Sequence, residues 1–304
     1  MCKKSLTGKD FCAIMICENL LFGKGDSIFM AFRTVRAGEV VYLASDMLAS
    51  PHAFATRLGG GSVLPHTASL NLAFGRGDEA DVVLDNLARF GAAAGFDPHG
   101  VISVPQIHGN RVLSVDRRHR GMGYAVPAAF EGDGYVTADP AVTLGVKTAD
   151  CTPILLEALV AGQVAAVAAL HAGWKGTVAD IAGEGVRSLV DLACRTTGAD
   201  GASVILRAAI GPCIHACCFE VQEDCLAVVR ERLGHGAEVY VRRDGGRTFL
   251  DLPALNRALL LRAGVTEVDV CDLCTACHPE LFYSHRASGG VRGTMLNVIG
   301  LSQA

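Results

Sequence analysis

The sequence predicts an α/β fold, built as a single domain around mixed rather than purely parallel strands. Three observations carry this. Apolar runs of strand length alternate with segments whose apolar residues recur at helical spacing. Several links between runs are too short for the helical crossover that parallel neighbours need. Half of the 304 residues are hydrophobic and 19% are charged, enough apolar material for one sizeable core.

Taken in order, residues 1–49 look unlike the remainder and read as an N-terminal extension. They hold three cysteines, and Met30 is a candidate natural start ahead of the strand "EVVYLASDML". Residues 50–304 then form the domain. "VISVPQIHG" reads as a short strand running into a loop, and "AVTLGVK", "TPILLEAL" and "QVAAVAAL" as strands separated by turn signals such as "AG". "TVADIAGEGVRSLVDLACRTTG" has helical spacing and a terminal glycine. The strand "ASVILRAAIG" and a helix near "FEVQEDCLAVVRERLG" follow. "DLPALNRALLLRAG" is a further helix, with Asp251 as its cap and Pro253 in its first turn. The strand "EVDVC" and a cysteine-rich loop close the chain, with no internal repeat and no linker.

Bulk properties narrow the function. A formal net charge of −4 gives no general pull toward nucleic acid or anionic membranes. No apolar run reaches the roughly 20 residues of a spanning helix. The best export-signal candidate, "DFCAIMICENLLFG", is short and broken by Glu18, so a cytoplasmic protein is expected. Its 12 cysteines are then read as reduced thiols, some of them metal ligands.

Three residues share one arrangement: His108 in "VPQIHGN", Cys151 in "KTADCTP" and His171 in "LHAGWKG". Each follows an apolar run and precedes a turn. If those runs are neighbouring strands of one sheet, the three side chains converge at its rim. Two imidazoles and a thiolate suit zinc, and three protein ligands leave a fourth position open for water or substrate. The bland alternative is a cysteine that fills core and histidines that are merely satisfied polar residues. The glycines beside both histidines favour the first reading, because they permit close backbone approach.

"TRLGGGS", "SLNLAFGRGD", "PQIHGNRV", "VKTADCTPILL", "LHAGWKGTV", "AAIGPCI" with "CCFEV", and "CTACHPELFYSHRASGGVRGTM" occur in this order. From about Phe54 to the C-terminus the chain resembles the laccase-domain family, also called the polyphenol-oxidase-like or peptidoglycan-editing-factor family. The resemblance implies a layered α-β-β-α sandwich with mixed sheets. It implies a catalytic zinc on His108, Cys151 and His171, with copper as the alternative ion. It also implies phosphorolysis of purine nucleosides (adenosine, inosine, methylthioadenosine) to free base and ribose 1-phosphate, with adenosine deamination as a side activity. The partners are then nucleosides and phosphate.

Laccase chemistry itself fails a ligand count. A multicopper oxidase needs many imidazoles, commonly in His-x-His pairs; this chain has 10 histidines and no such pair. For deamination, zinc activates water and a carboxylate carries the proton. Asp150 is the nearest carboxylate in sequence, with loop capping as its alternative role. Phosphorolysis requires cations that hold phosphate. Arg286 in "FYSHRAS" and Arg57 in "ATRLGGG" are the candidates, with Asn71 and Gln106 as hydrogen-bonding partners of base or ribose. His285 shares the motif with Arg286, and Lys175 stands where the family more usually has arginine, which forfeits bidentate geometry.

Two alternatives stay open. One is a cysteine-type hydrolase acting on peptidoglycan precursors, with Cys151 as nucleophile and His171 as base. The other is a partner-binding protein that keeps its metal for stability. Further cysteines form a separate question: Cys271, Cys274 and Cys277, with His278, read as a structural zinc site or part of an iron–sulfur motif. Cys213, Cys217 and Cys218 extend the same question. Against it, Cys213 and Cys274 occupy ordinary family positions.

Overall fold

The computed structural model describes residues 32–302. The apolar runs become the strands of two six-stranded sheets. In the first, β1 (Phe32–Ala37), β2 (Val40–Ser45), β3 (His52–Ala55), β14 (Met295–Gly300), β7 (Thr143–Thr148) and β4 (Val101–Ile102) lie side by side in that order. In the second the order is β13 (Glu267–Val270), β10 (Ile205–Ile210), β8 (Thr152–Val160), β9 (Gln163–Ala172), β6 (Gly134–Thr137) and β5 (Val112–Ser114). A small hairpin, β11 (Val241–Asp244) and β12 (Arg247–Leu250), stands apart. Both large sheets are mixed: β8 and β9 are antiparallel, whereas β4 with β7, β5 with β6 and β10 with β13 are parallel. The "AG" signal is the β8–β9 turn, where Ala161 and Gly162 take φ of 52° and 78°.

The continuous apolar character of β8 and β9 comes from burial on both faces. Side chains alternate along a strand, so Leu155, Val167 and Ala169 join the core between the sheets. Ile154, Leu156, Ala166, Ala168 and Leu170 point the other way, into a second core beneath the helices. That second layer is α3 (Ile181–Thr197) and α5 (Leu252–Arg262), which bury Ile181, Val186, Leu189, Leu255 and Leu259 there. Each such side chain contributes about 1.5–3 kcal/mol. On the first sheet lies α1 (Ala80–Ala94), packing Leu87 and Phe90, the latter 6.3 Å edge-on to Tyr42 of β2. Helices α2 (Trp174–Val178) and α4 (Glu223–Leu233) complete the set among the described residues. The order of layers is α-β-β-α, as the resemblance implied. Asp251 caps α5 by accepting the Ala254 N–H at 3.0 Å, with Pro253 in the first turn.

Two expectations are corrected, and one element appears where none was expected. Residues 32–49 are not an extension: β1 and β2 complete the first sheet. The N–H groups of Ala49 and Ser50 then donate to the fully buried carboxylate of Glu157 on β8. The domain therefore includes Phe32 onward, while a start at Met30 lies outside the described residues. The chain closes not on the cysteine-rich loop but on β14, buried at all six positions between β3 and β7. Finally, α1 lies in "ADVVLDNLARFGAAA", a segment with no helical expectation attached to it.

Candidate metal centre and its two clefts

Cys151 belongs to a three-residue link, residues 149–151, that carries the chain from β7 of one sheet to β8 of the other. The link is strained, because Asp150 holds a φ of 95°, unfavourable for a residue with a Cβ. Three contacts fix it. The Asp150 carboxylate accepts the Thr275 hydroxyl at 2.7 Å and the Arg286 N–H at 2.6 Å, and its carbonyl accepts the Ile214 N–H at 2.9 Å. These contacts make Asp150 a brace of the link.

Strand register brings the next ligand alongside. In the β8–β9 pair Thr152 faces Ala172 and Pro153 faces His171, so Cys151 and His171 lie at the same end. On the other side of β9, β6 begins with Gly134 opposite Leu170, which sets Asp133 against His171. The backbone N–H of His171 donates to the Asp133 carbonyl at 2.7 Å, and its Nδ1 lies 2.8 Å from Asp133 Oδ1. A proton on Nδ1 satisfies that carboxylate and leaves Nε2 as the ligand nitrogen.

The same fully buried carboxylate also builds the His108 loop. Asp133 accepts the N–H groups of Ile107 at 3.2 Å, His108 at 2.9 Å and Gly109 at 2.8 Å. His108 itself has a φ of 58°, a second strained non-glycine position. It is not delivered by a neighbouring strand, as the sequence reading supposed. It sits on the connection between β4 of the first sheet and β5 of the second.

The three ligand atoms of His108, Cys151 and His171 lie within 4.8 Å of one another. The two imidazoles meet nearly edge-on, with centroids 4.8 Å apart and planes at 74°. His171 is buried, Cys151 half-buried and His108 exposed, so the centre is closed on one side and open on the other. Gly173 leaves the space for it: a Cβ there would stand 2.9 Å from His108 Nδ1 and 3.2 Å from Cys151 Sγ. Two nitrogens and one sulfur, gathered and oriented by a carboxylate and with an open side, fit a catalytic zinc ion.

Electrostatics agree with that donor set. Burial pushes the Cys151 thiol up, but the charge of His171 and the hydrogen bonds from His108 and His171 outweigh it and bring it to about 6. Burial likewise opposes charge on His171, yet the Cys151 thiolate and Asp133 raise it to about 9. Burial also disfavours charge on Asp133, but hydrogen bonds from His171 and Gly109 hold its carboxyl below the usual range. The sulfur is thus poised as the thiolate that both a metal and a nucleophilic role require.

Two clefts share the wall formed by His108, Ala149, Cys151 and Arg292. One, of about 250 Å³, is basic and polar, lined by Arg76, Lys147, Gln106 and Thr148. The other, of about 270 Å³, is apolar and aromatic, lined by Trp174, Ile214, Phe219 and Leu252, with His285 and Arg286 at its side. Gln106 clamps the Lys147 backbone, donating to its carbonyl at 2.8 Å and accepting its N–H at 2.7 Å. Arg286 donates to the carbonyls of Cys218 and Glu220 and lies over the Phe219 ring at 5.4 Å. Lys175 is exposed beside Trp174, outside both clefts.

Two sequence-selected residues are not brought to the centre. Arg57 donates Nε and Nη2 to the Ala68 carbonyl and Nη1 to that of Pro279, and stacks on Tyr283, which makes it a loop tie. Asn71 is fully buried, donating to the Ala73 carbonyl and Asp78 and accepting the Ala73 and Thr294 N–H groups. Conversely, sequence reasoning overlooked Asp133, Arg76, Lys147 and Arg292. Asp133, flanked by glycines at a strand start in "EGDGY", and Lys147, inside the apolar run before Cys151, were the visible signals.

A family described as "Multi-copper polyphenol oxidoreductase laccase" matches residues 51–302. A purine nucleoside phosphorylase from Deinococcus radiodurans is 40% identical over 259 residues, spanning 85% of this chain and 92% of its own. An adenosine deaminase, RL5, from an unknown prokaryotic organism is 35% identical over 228 residues, 73% of this chain and 83% of its own. The crystal structure of YlmD from Geobacillus stearothermophilus matches with a TM-score of 0.77 and 31% identity, covering 90% of this chain and all of that one.

Proposed function

The chain belongs to the multi-copper polyphenol oxidoreductase laccase family, and from that premise we propose that it splits purine nucleosides with inorganic phosphate at a zinc centre of His108, Cys151 and His171. The observation that carries this reading is the pair of unlike clefts meeting at those ligands. A purine needs flat apolar surface, which Trp174 and Phe219 offer. Phosphate needs cations: Arg76 and Lys147 line the opposite cleft, and Arg292 stands on the wall the two clefts share. Arg292 Nε is buried with no hydrogen-bond partner among the described residues, a donor suited to an anion.

In the reaction a phosphate oxygen bonds to the anomeric carbon as the bond from that carbon to the purine nitrogen breaks. The base leaves with the electron pair and takes up a proton. Positive charge develops on the ribose between the two clefts, where the bound phosphate faces it. Lys147 Nζ is held for phosphate by the Ser103 carbonyl at 3.1 Å, and Gln106 fixes its backbone. When bound, zinc supplies a Lewis acid at the junction. Arg286 closes the purine side. With water in place of phosphate, directed at the amino-bearing ring carbon, a C–O bond forms there as the bond to the amino nitrogen breaks and ammonia leaves with the water's proton, which would account for adenosine deamination as a side activity. Copper is the alternative ion for this nitrogen–sulfur donor set. The cytoplasm, where nucleosides and phosphate meet, is the expected compartment.

A second reading has its own observation. Asp133, His171 and Cys151 form a carboxylate–imidazole–thiol series with the thiol near 6, the arrangement of a nucleophilic cysteine. It would serve a hydrolase of peptidoglycan precursors. Product analysis of adenosine with metal-quantified protein, with and without phosphate and beside Cys151→Ser, separates the two. Adenine and ribose 1-phosphate, requiring phosphate and lost with the metal in the variant, support the phosphorylase. Absence of turnover with zinc bound, or activity that rises on zinc removal and dies on thiol alkylation, supports the hydrolase.

A further inference from the structure

We propose that Cys217, Cys218, Cys274 and Cys277 bind a second zinc ion in a closed structural site that staples together two loops beside the apolar cleft. The sequence reading grouped Cys271, Cys274 and Cys277 with His278, but the chain selects a different set. Cys271 and Cys213 are fully buried outside it, and the four sulfurs that converge come from two segments far apart in sequence. Those sulfurs all lie within 4.8 Å of one another. Cys277 Sγ is 3.5 Å from Cys217 Sγ and 3.4 Å from Cys218 Sγ.

These spacings discriminate among the uses of four cysteines. Tetrahedral zinc with bonds of about 2.3 Å separates its sulfurs by about 3.8 Å; the two measured pairs, at 3.5 and 3.4 Å, lie a few tenths of an ångström below this, and all four sulfurs lie within 4.8 Å. A disulfide joins its sulfurs at about 2.05 Å, much closer than either measured pair. An iron–sulfur cluster interposes several iron and sulfide atoms and needs its cysteines further apart. Four thiolates also fill a tetrahedral shell, leaving no open position, unlike the His108, Cys151 and His171 centre.

The surroundings are those of a metal knuckle. Cys274 and Cys277 have the two-residue spacing common to zinc loops, and the turn between them is closed by the Cys277 and His278 N–H groups donating to the Cys274 carbonyl at 3.1 and 3.2 Å. The His215 N–H points to Cys274 Sγ at 3.5 Å, a contact that stabilises a thiolate. The loops are already in register, with Cys213 and Cys274 paired as an isolated parallel β-bridge of the backbone and the Thr275 N–H donating to the Cys213 carbonyl at 2.9 Å. An ion there would fix more than the cysteines. Cys218 supplies a carbonyl to Arg286, Phe219 lines the apolar cleft, and Thr275 braces Asp150. The second ion would thus hold one wall of the first site without touching substrate.

The test separates this proposal from the catalytic reading by removing the first centre. The full chain carrying His108→Ala and Cys151→Ser together is purified without chelator, and its zinc is counted; cobalt(II) is then exchanged in. The expected result is one zinc per chain, against two in the unaltered protein, and an intense sulfur-to-cobalt charge-transfer band of tetrathiolate type. Adding Cys277→Ser should remove that remaining ion and the band. No zinc and no such band in the folded double variant would overturn the proposal, as would a disulfide among the four cysteines in protein prepared under reducing conditions.

Discussion

Replacing Asp133 with asparagine tests how the metal centre is built. The substitution keeps size and shape but turns one carboxylate oxygen into an N–H₂ donor. Oδ1 now accepts from His171 Nδ1 and the His108 N–H, and Oδ2 from the Ile107 and Gly109 N–H groups. Whichever way the amide turns, two of these four donors face a donor instead. Leaving a buried donor unmet costs about 1–3 kcal/mol. If the amide oxygen keeps His171, the His108 loop loosens; if it keeps the loop, His171 loses the partner that fixes its tautomer. Either way one imidazole ligand is released. Loss of a carboxylate behind a metal-bound histidine typically weakens affinity about 10–100-fold, roughly 1.4–2.7 kcal/mol at 1.36 kcal/mol per tenfold. Zinc titration against a competing chelator measures it, with phosphorolysis falling in step with occupancy. Asp133→Asn protein that binds zinc as tightly as the unaltered chain, with unchanged turnover, would refute the reasoning.

Other expectations concern the clefts and the loops. Gly173→Ala should weaken zinc by about tenfold or more, because its Cβ would lie 2.9 Å from a ligand ring and 3.2 Å from the ligand sulfur; metal analysis of the folded variant checks it. Lys147→Met removes a phosphate cation whose charged hydrogen bond is worth about 1.5–3 kcal/mol, so the KM for phosphate should rise roughly 10–100-fold with little change for the nucleoside. Burial first, then the charge of Arg76, hold Lys147 down to about 8. The lysine is charged below that pH and neutral above it, so phosphate KM should climb as pH rises through about 8 and the climb should vanish in the variant. Arg57→Ala should lower the melting temperature through its lost loop carbonyl contacts and leave the KM for phosphate unchanged; a large rise in that KM would restore Arg57 to the site.

The strands nearest the chemistry were the most legible part of the chain. β8 and β9 are buried on both faces, so their runs are almost wholly apolar, interrupted on β8 by Glu157, and end at the turns that flank Cys151 and His171. Elements with weaker local signal were lost. β1 has no buried position, and α1 opens on Ala80 without a side-chain cap. β14 is a six-residue run that follows a long loop, and only its pairing with β3 and β7 reveals it as central. The ligands could be read because each carries rare chemistry in a turn context. Asp133 could not, since an aspartate before a strand looks like any loop residue until register sets it opposite His171. The cations nearest the centre were missed for a related reason. Charge visible in a glycine-rich motif suggested Arg57, whereas Lys147 hides its ammonium in a strand and reaches the cleft only because β7 ends there.

The same placement bears on how, in the proposed reaction, one centre would serve two nucleophiles. Had all three ligands come from one sheet, they would line a single rim facing a single environment. Here Cys151 sits on the crossing from one sheet to the other, and His108 on a second connection between them. The ligands therefore form a partition between spaces built by different parts of the fold. In the proposed reaction Arg76 and Lys147, with Arg292 on the shared wall, would hold an anion on one side, while Trp174 and Phe219 would receive a flat ring on the other. The apolar side fixes which ring enters and does not distinguish phosphate from water. In the proposed reaction that choice would fall to the basic side, where the part-buried Lys147 and Arg292 favour an anion over a neutral molecule. Phosphorolysis and deamination then differ in what occupies the basic cleft and which carbon faces it, so relatives named for either activity can share this architecture without sharing a dominant reaction.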